Sequence, residues 1–368
     1  MAVGKGFCPR AMVTLKYSGK GGYSRRSLPM GVDERVASVL TEALNASKTK
    51  SSWGNHHTAI RHIARAQEEF GVKMKIPFTQ SMTCTYVAYL RGKGMQPETM
   101  KVYLSAVRAE HLIRGHCPDS LMPDWLGKFL DGAKKLRNQS GKKRERAPVT
   151  LNGLLKIREW IKKNVPGEGL RATVWLACSW LFWGSLRPQE VLCEAHDRFS
   201  LDRTLQKRDV KEGVVKNKDG KEMRCLFLKI KSPKEAKGLD QEIELIENQS
   251  KTCPWKAWEF WKRTRASRVK EFEPIMRKPD GSLVIAKDIQ GLLDGALGAD
   301  LKRGEFLSTH SFRAGMATEL AMMGVEDEEI MRQGRWHSGA FLNYVKLGRK
   351  NRAVRQIALA RKVTRKSG

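Results

Sequence analysis

Residues 309–320 read T-H-S-F-R-A-G-M-A-T-E-L, and this stretch decides how the rest of the chain is interpreted. The pattern predicts a helix that Ser308 or the following threonine could cap and that Gly324 could end. His310 and Arg313 are three residues apart, so they share one face near the positive N-terminal end of this helix. Such a place is well suited to holding a phosphate group.

The H-x-x-R spacing is a weak signal by itself. It also occurs at His62 and Arg65 and again at His111 and Arg114. For a lone histidine of this kind, packing on a helix face is the simpler interpretation. The copy at His310 therefore takes its meaning from the segments that surround it.

Three further segments accompany that copy in a fixed order. Residues 184–192 read G-S-L-R-P-Q-E-V-L and follow an almost wholly apolar stretch, Leu170–Phe182. Residues 231–240, K-S-P-K-E-A-K-G-L-D, form a predicted turn between two strands. Residues 334–346 read G-R-W-H-S-G-A-F-L-N-Y-V-K. The order along the chain is arginine, lysine, histidine with arginine, tryptophan or histidine, and tyrosine.

This order resembles the tyrosine recombinase (phage integrase) family, and the resemblance covers most of the chain. Arg187–Glu190 resembles the R-x-x-E box of the family, and His310–Arg313 resembles its H-x-x-R box. Tyr103–His111 resembles the helical core-binding domain, and Arg146–Thr150 resembles the start of the catalytic domain. The G-R-W-x-S box is most similar to recombinases of eukaryotic retroelements and transposons.

The resemblance implies a site-specific DNA recombinase or integrase that cuts and rejoins DNA through a covalent 3′-phosphotyrosine at Tyr344. Attack on a phosphodiester adds negative charge, and two planar guanidinium groups suit its non-bridging oxygens. We assign that role to Arg187 and Arg313. His310 would donate a hydrogen bond to the phosphate or help to take the tyrosine proton. Because a tyrosine hydroxyl has an ordinary pKa of about 10, the surrounding cations are expected to activate it.

The leaving 5′ oxygen needs a proton donor, and the resemblance implies a lysine in the predicted turn. Lys231, Lys234 and Lys237 compete for this role. Lys234 is preferred, because Ser232-Pro-Lys234 fits the S-x-K that family members often have just beyond the strand. Lys231 is the alternative.

The residue ahead of the nucleophile departs from the family pattern. Many relatives have His or Trp nine residues before the tyrosine, whereas here Trp336 is eight ahead and His337 is seven ahead. Trp336 is preferred, since its indole N–H can donate to the phosphate, and His337 stays the alternative. Glu190, one turn after Arg187, is expected to orient catalytic groups rather than to react.

Neither a metal ion nor ATP is expected as a cofactor. No cluster of carboxylates in the sequence suggests bound Mg²⁺, and a phosphotyrosine bond conserves the energy of the bond that is broken. Two alternatives stay open. One is a type IB topoisomerase-like enzyme that relaxes DNA without exchanging partners, and the other is a DNA-binding protein of the same fold without the chemistry.

The composition indicates a polyanionic partner. The 368-residue chain has 69 Lys and Arg against 39 Asp and Glu, a net charge of +30, which far exceeds what solubility requires. Double-stranded DNA is the predicted partner, held through many phosphate contacts. Scattered cysteines and the lack of an apolar leader or membrane span predict an intracellular protein without membrane association. Its expected location is the nucleus if the host is eukaryotic and the cytoplasm otherwise.

The predicted fold is mainly α with a small β-hairpin (α+β), in which a helical core-binding domain and a catalytic domain form a C-shaped clamp. Four or five short helices without strands are expected between Val32 and Leu136, and two strands at Cys225–Ile230 and Glu242–Ile246. The resemblance implies a homotetramer on DNA and a monomer or dimer without it. The predicted segments are a flexible basic arm (1–30), the core-binding domain (31–137), a basic linker (138–149), the catalytic domain (150–348) and a basic tail or helix (349–368).

Overall fold

The computed structural model describes residues 33–47, 50–139, 144–217, 219–231, 240–336, 342 and 345. The chain divides into two compact units, residues 1–143 and 144–368. Helices dominate both units, and the strands of the described residues all lie in the second. This confirms the predicted α+β class. Among the helices described, none is both long and apolar enough to cross a membrane.

The first unit is helical, as predicted. Thr79 caps the third helix by accepting a hydrogen bond from the backbone N–H of Met82 (3.3 Å). Pro97 occupies the first turn of the fourth helix, where a backbone N–H would have no partner within the helix. In the core, the buried hydroxyl of Tyr86 donates to the carbonyl of Ala59 (3.0 Å). Within the described residues of this unit, the helices are α1 (Glu34–Ala46), α2 (Lys50–Phe70), α3 (Gln80–Gly92), α4 (Pro97–Ile113) and α5 (Trp125–Gln139).

Helix α7 (Glu168–Trp183) forms the centre of the second unit. It is buried continuously from Ala172 to Phe182, as its apolar sequence predicts. A helix that is apolar on all sides is stable only when other elements cover it. The elements that cover it include α6 (Leu151–Asn164), α9 (Pro254–Arg265) and α11 (Ser311–Met322). The remaining α-helices in the described part of this unit are α8 (Pro188–Val191), α10 (Ala286–Leu297) and α12 (Asp327–Gly334).

A three-stranded antiparallel sheet follows α8. Its strands are β2 (Val210–Lys216), β3 (Glu222–Ile230) and β4 (Gln241–Ile246), in the order β2-β3-β4. The predicted pairing of the last two strands is confirmed, with Cys225 opposite Ile246. Strand β2 is not predicted from the sequence, because it is half polar and no residue in it is fully buried. The turn at residues 232–239 lies outside the described residues.

The segment predicted as a linker, residues 138–149, contains two pieces of regular structure. Helix α5 covers its first two residues, and residues 140–143 lie outside the described part of the chain. From Arg144 onward the segment belongs to the second unit. There β1 (Glu145–Arg146) pairs in parallel with β5 (Glu305–Phe306).

Beyond β1 the chain runs against the start of α11. The backbone N–H of Val149 donates to the carbonyl of Ser311 (2.9 Å). Gly315 permits this approach, because a Cβ at that position would overlap the carbonyl of Val149. The pairing therefore holds Arg146 beside the N-terminal end of the helix that begins after His310.

Candidate active site

A strained turn at the end of α7 leads to Arg187. Gly184 ends the helix, and a Cβ there would lie 2.8 Å from the side chain of Leu186. Ser185 follows with a φ of 46°, a left-handed conformation that is uncommon for a residue with a side chain. The chain then enters α8 with Arg187 at its N-cap position. Strained turns of this kind occur often at functional sites, where the surrounding structure holds them.

Glu190 connects Arg187 to a second arginine, Arg335. Its carboxylate accepts hydrogen bonds from the backbone N–H (2.8 Å) and Nη1 (3.1 Å) of Arg187. Both terminal nitrogens of Arg335 donate to the same carboxylate, at 2.9 Å and 2.7 Å. Burial would raise the pKa of Glu190, but the hydrogen bonds and charges of the two arginines outweigh it and hold that pKa below its ordinary range. The charged carboxylate therefore orients both guanidinium groups.

Arg313 connects three segments of the second unit. Its side chain is buried, and its two terminal nitrogens donate to the carbonyls of Ser185 and Gly334. The guanidinium also lies over Trp336, 4.3 Å from the ring centroid. A planar group with several donors can make all these contacts at once. Arg313 thereby fixes the strained turn and Trp336 relative to α11.

The end of α12 determines where Trp336 lies. Arg335 adopts a left-handed conformation with a φ of 54° and ends the helix. The backbone N–H of Trp336 then donates to the carbonyl of Met331 (2.9 Å). The indole lies so close to Gly334 that a Cβ there would overlap the ring. Trp336 and Val345 both pack against an apolar cluster made by Ala317, Ala321 and Ile330.

His310 occupies the N-cap position of α11. The cap predicted at Ser308 or Thr309 is therefore wrong, and His310 makes no side-chain cap hydrogen bond. The local cause is that the hydroxyl of Ser311 accepts from the backbone N–H of Ser308 (3.0 Å) and tightens the turn. Gly324 follows the helix with a φ of 74°, as expected for a residue that ends it.

The positive charges of three arginines converge on His310. Burial lowers the pKa of its imidazole, and the nearby charges of Arg146, Arg313 and Arg187 lower it further. These side chains come from β1, from α11 and from the turn after α7, so the fold brings together residues that are far apart in the sequence. An uncharged imidazole has one nitrogen that donates and one that accepts.

We expect DNA binding to raise the pKa of His310, because a phosphate offsets the positive charges that disfavour its protonation. NMR titration of its Cε1–H, with and without a DNA duplex, measures this shift. In the free protein, Arg146→Gln should also raise this pKa. Because folding lowers the pKa, His310 should destabilise the free protein as the pH falls through the unfolded value of about 6.5. An identical titration in wild type and Arg146→Gln would show that these charges do not converge.

No model of a protein family matches the sequence, and no curated protein matches it. Solved structures do match its fold. A lambda integrase dimer bound to a COC′ core site has a TM-score of 0.52 and 14% identity, over 81% of this chain and 72% of that one. XerH site-specific recombinase bound to difH before cleavage has a TM-score of 0.52 and 15% identity, over 89% of each chain. The Tn1549 transposon integrase with transposon right-end DNA has a TM-score of 0.52 and 14% identity, over 87% of this chain and 95% of that one.

This chain has the tyrosine recombinase fold. The fold that the sequence motifs imply is thus confirmed in three dimensions. At these low identities the likeness establishes the fold alone. The resemblance of the G-R-W-x-S box to eukaryotic retroelement and transposon recombinases stays a prediction.

Part of the predicted constellation of a tyrosine recombinase lies within the described residues. Arg187, His310, Arg313 and Trp336 lie in one region of the second unit, through the contacts and charges given above. Their catalytic roles stay predictions, as does the supporting role of Glu190. The other predicted residues, Lys234, His337 and Tyr344, lie outside the described residues.

Lys231 lies at the end of β3 in an ion pair. Its Nζ is 2.7 Å from Oδ2 of Asp209 and donates to the carbonyl of Leu201 (3.2 Å). Both partners in the ion pair have largely buried side chains. These contacts attach β3 to the preceding loop, and the preference for Lys234 over Lys231 as the proton donor stays a prediction.

Two arginines of the site, Arg146 and Arg335, are not singled out by the sequence. Arg146 lies over the ring of Phe306 (5.7 Å to the centroid), and its Nε is buried without a hydrogen-bond partner. The signal for Arg335 is indirect. A glutamate close to one arginine of a buried box can pair with a second cation, and Arg335 is that cation. The segment that begins at Arg146 resembles the start of the catalytic domain, but nothing in it marks Arg146 as a site residue, since its position depends on pairing of β1 with the distant strand β5.

The histidines of the other two H-x-x-R copies are buried in the first unit, as the simpler interpretation predicts. The ring of His62 stacks on Tyr103, with centroids 5.4 Å apart. His111 is buried and uses both ring nitrogens in backbone hydrogen bonds. Its Nε2 accepts from the N–H of Phe78, and its Nδ1–H donates to the carbonyl of Val107, both at 2.8 Å.

Proposed function

We propose that this chain is a site-specific DNA recombinase that cleaves and rejoins duplex DNA through a covalent bond between Tyr344 and a 3′ phosphate. The observation that carries the proposal is the convergence of Arg187, His310 and Arg313 beside Trp336 in a tyrosine recombinase fold. The similar recombinase and integrase structures contain DNA. The net charge of +30 supports the same partner here.

The two arginines stabilise the charge that develops on the phosphate during attack. Each is oriented by the protein itself, Arg187 through Glu190 and Arg313 through the carbonyls of Ser185 and Gly334. Donors that are oriented in advance need no reorganisation during the reaction, and one such donor contributes about 3 kcal/mol to lowering the barrier.

The remaining groups move protons. The hydroxyl of Tyr344 attacks phosphorus, and its proton passes to His310 or to water. The bond to the 5′ oxygen breaks, and Lys234 supplies the proton that this oxygen takes up. Trp336 donates its indole N–H to the phosphate. Attack by the 5′ hydroxyl of a second strand reverses these steps and releases the tyrosine. The reaction as proposed therefore consumes no ATP and requires no metal ion.

The assembly and location of the protein follow from this proposal. Exchange of strands between two duplexes requires four cleavages, so we propose a homotetramer on DNA and a monomer or dimer without it. The substrate also implies an intracellular location, the nucleus in a eukaryotic host and the cytoplasm otherwise.

A suicide DNA substrate tests the chemistry. Its cleaved strand loses a short fragment that diffuses away, so a covalent intermediate accumulates. The purified full chain should form an adduct that resists denaturing electrophoresis, and mass spectrometry should locate the DNA on Tyr344. Tyr344→Phe should give no adduct but should still bind the DNA. An adduct on Tyr344→Phe, or none on wild type with its native site, would overturn the proposal.

A plasmid assay then separates recombination from relaxation. Two native sites on one plasmid should yield recombinant products. Relaxed plasmid without recombinants would instead indicate a type IB topoisomerase-like enzyme.

A further inference from the structure

Helices α6, α7 and α9 surround a cleft of about 480 Å³ on the second unit. Its walls are strongly basic, and none of the described residues that line it is acidic. Like charges at this density repel one another, and an anionic partner relieves the repulsion. The cations are Arg158, Lys162, Arg171, Lys251, Lys256 and Arg263.

The floor of the cleft is apolar. It consists of Ile161, Trp175 and Phe260. Trp175 is only 5% exposed, and the guanidinium of Arg158 lies 5.8 Å from its ring centroid. Trp175 therefore offers no open face on which a nucleic-acid base could stack. A concave apolar floor suits an inserted side chain better than it suits the backbone of a DNA duplex.

Two acidic side chains outside the cleft pair with its rim. Glu159 accepts from Lys162 (2.8 Å), and Glu168 accepts from Arg263 (3.3 Å). All four side chains are more than half exposed. Exposed ion pairs are weak, so the carboxylates of a bound partner can displace Glu159 and Glu168 from their pairs.

The terminal segments of the chain itself do not fit this cleft. Residues 1–32 and 346–368 contain no Asp or Glu and many Lys and Arg. Like charge therefore opposes their docking. The described residues that line the cleft do not include Arg187, His310 or Arg313.

We propose that this cleft binds an acidic segment of another protein, in which carboxylates flank one large apolar side chain. The apolar side chain lies on Phe260, the partly exposed member of the floor, and the carboxylates pair with the surrounding lysines and arginines. Such a partner would be held on the second unit without occupying the candidate active site. This binding does not depend on DNA cleavage, so either proposal can fail alone.

Fluorescence anisotropy with two labelled peptides tests the proposal on the full chain. One peptide is a short run of Asp and Glu with a central Leu-Phe pair, and the other has Ser-Ser in place of that pair. Burying a large apolar side chain contributes about 1.5–3 kcal/mol, so the Leu-Phe peptide should bind at least about tenfold more tightly.

Matched variants locate the binding. Arg171→Glu with Lys256→Glu should weaken binding of the Leu-Phe peptide by about tenfold or more. Each substitution replaces a cation of the cleft with a carboxylate that repels the acidic peptide. Lys221→Glu with Lys287→Glu, at exposed positions elsewhere in the unit, makes the same change in charge and should bind the peptide within a few-fold of wild type. Both double variants should still form the covalent DNA adduct.

Three results would overturn the proposal. Equal affinity for the two peptides would show that the apolar floor is not used. Equal weakening by the two double variants would show a general charge effect. If random duplex DNA, rather than the peptide, lost affinity only in the cleft variant, the cleft would be a nucleic-acid contact instead.

Discussion

Replacing Arg313 with lysine is expected to slow DNA cleavage by about 10²–10³-fold, as the loss of one oriented donor does in other active sites. The guanidinium reaches the carbonyls of Ser185 and Gly334 at once and covers Trp336. A single ammonium group cannot span these positions. One buried carbonyl would lose its partner, at a cost of about 1–3 kcal/mol in the free energy of unfolding. The strained turn that leads to Arg187 would lose its anchor.

Two measurements separate the catalytic effect from the structural one. Cleavage of the suicide substrate should be timed under conditions in which circular dichroism shows a folded variant. Arg332→Lys makes the same chemical change at an exposed position of α12 and should leave both rate and stability near wild type. If Arg313→Lys cleaved within threefold of wild type while being destabilised, Arg313 would be a structural residue only.

The sequence predicts the local structure of this chain well, because local signals determine it. Thr79 and Pro97 mark helix starts through their own backbone and side-chain chemistry. The apolar run of α7 predicts burial without any knowledge of what covers it. The two strands of the predicted hairpin have the expected pairing. In each case the deciding interactions lie within one element or between neighbouring elements.

What the sequence does not reveal depends on contacts between distant segments. The cap of α11 is the local exception: the hydroxyl of Ser311 accepts from the backbone N–H of Ser308, the hydroxyl of Ser308 has no partner among the described residues, and His310 occupies the cap position. Arg146 reaches the site through pairing of β1 with β5, and nothing near it in the sequence signals that pairing. Arg335 itself adopts the left-handed conformation that ends α12, and sequence patterns associate that conformation with glycine.

Glu190 is central to the arginine cluster, because it is the acidic partner that both Arg187 and Arg335 contact. Two neighbouring guanidinium groups repel each other, and in the proposed function they do so until a phosphate arrives. A buried carboxylate between two of them reduces this repulsion and fixes their directions. In the proposed function, this pairing is the reason for an acid beside the arginine of the R-x-x-E box.

Glu190→Gln is expected to destabilise the second unit by about 3–5 kcal/mol, the usual effect of removing one partner from a buried ion pair. Neutral glutamine leaves the charges of Arg187 and Arg335 close together without a counterion. Denaturant unfolding measures the change. Asp300→Asn is the matched control, because its pair with Lys156 (2.8 Å) is about half exposed and its loss should cost less than about 1 kcal/mol.

The pH dependence of this difference identifies its origin. Since folding lowers the pKa of Glu190, its carboxylate stabilises the protein above the unfolded pKa of about 4.3, and the stabilisation is lost as the pH falls through the lower folded value. The gap in unfolding free energy between wild type and Glu190→Gln should therefore narrow in acid. The double variant Glu190→Gln with Arg335→Gln should lose less unfolding free energy than the two single variants lose together. The reason is that Arg335→Gln removes one of the charges that Glu190→Gln leaves unpaired. A constant gap at every pH, together with full additivity, would mean that Glu190 acts by packing rather than by charge.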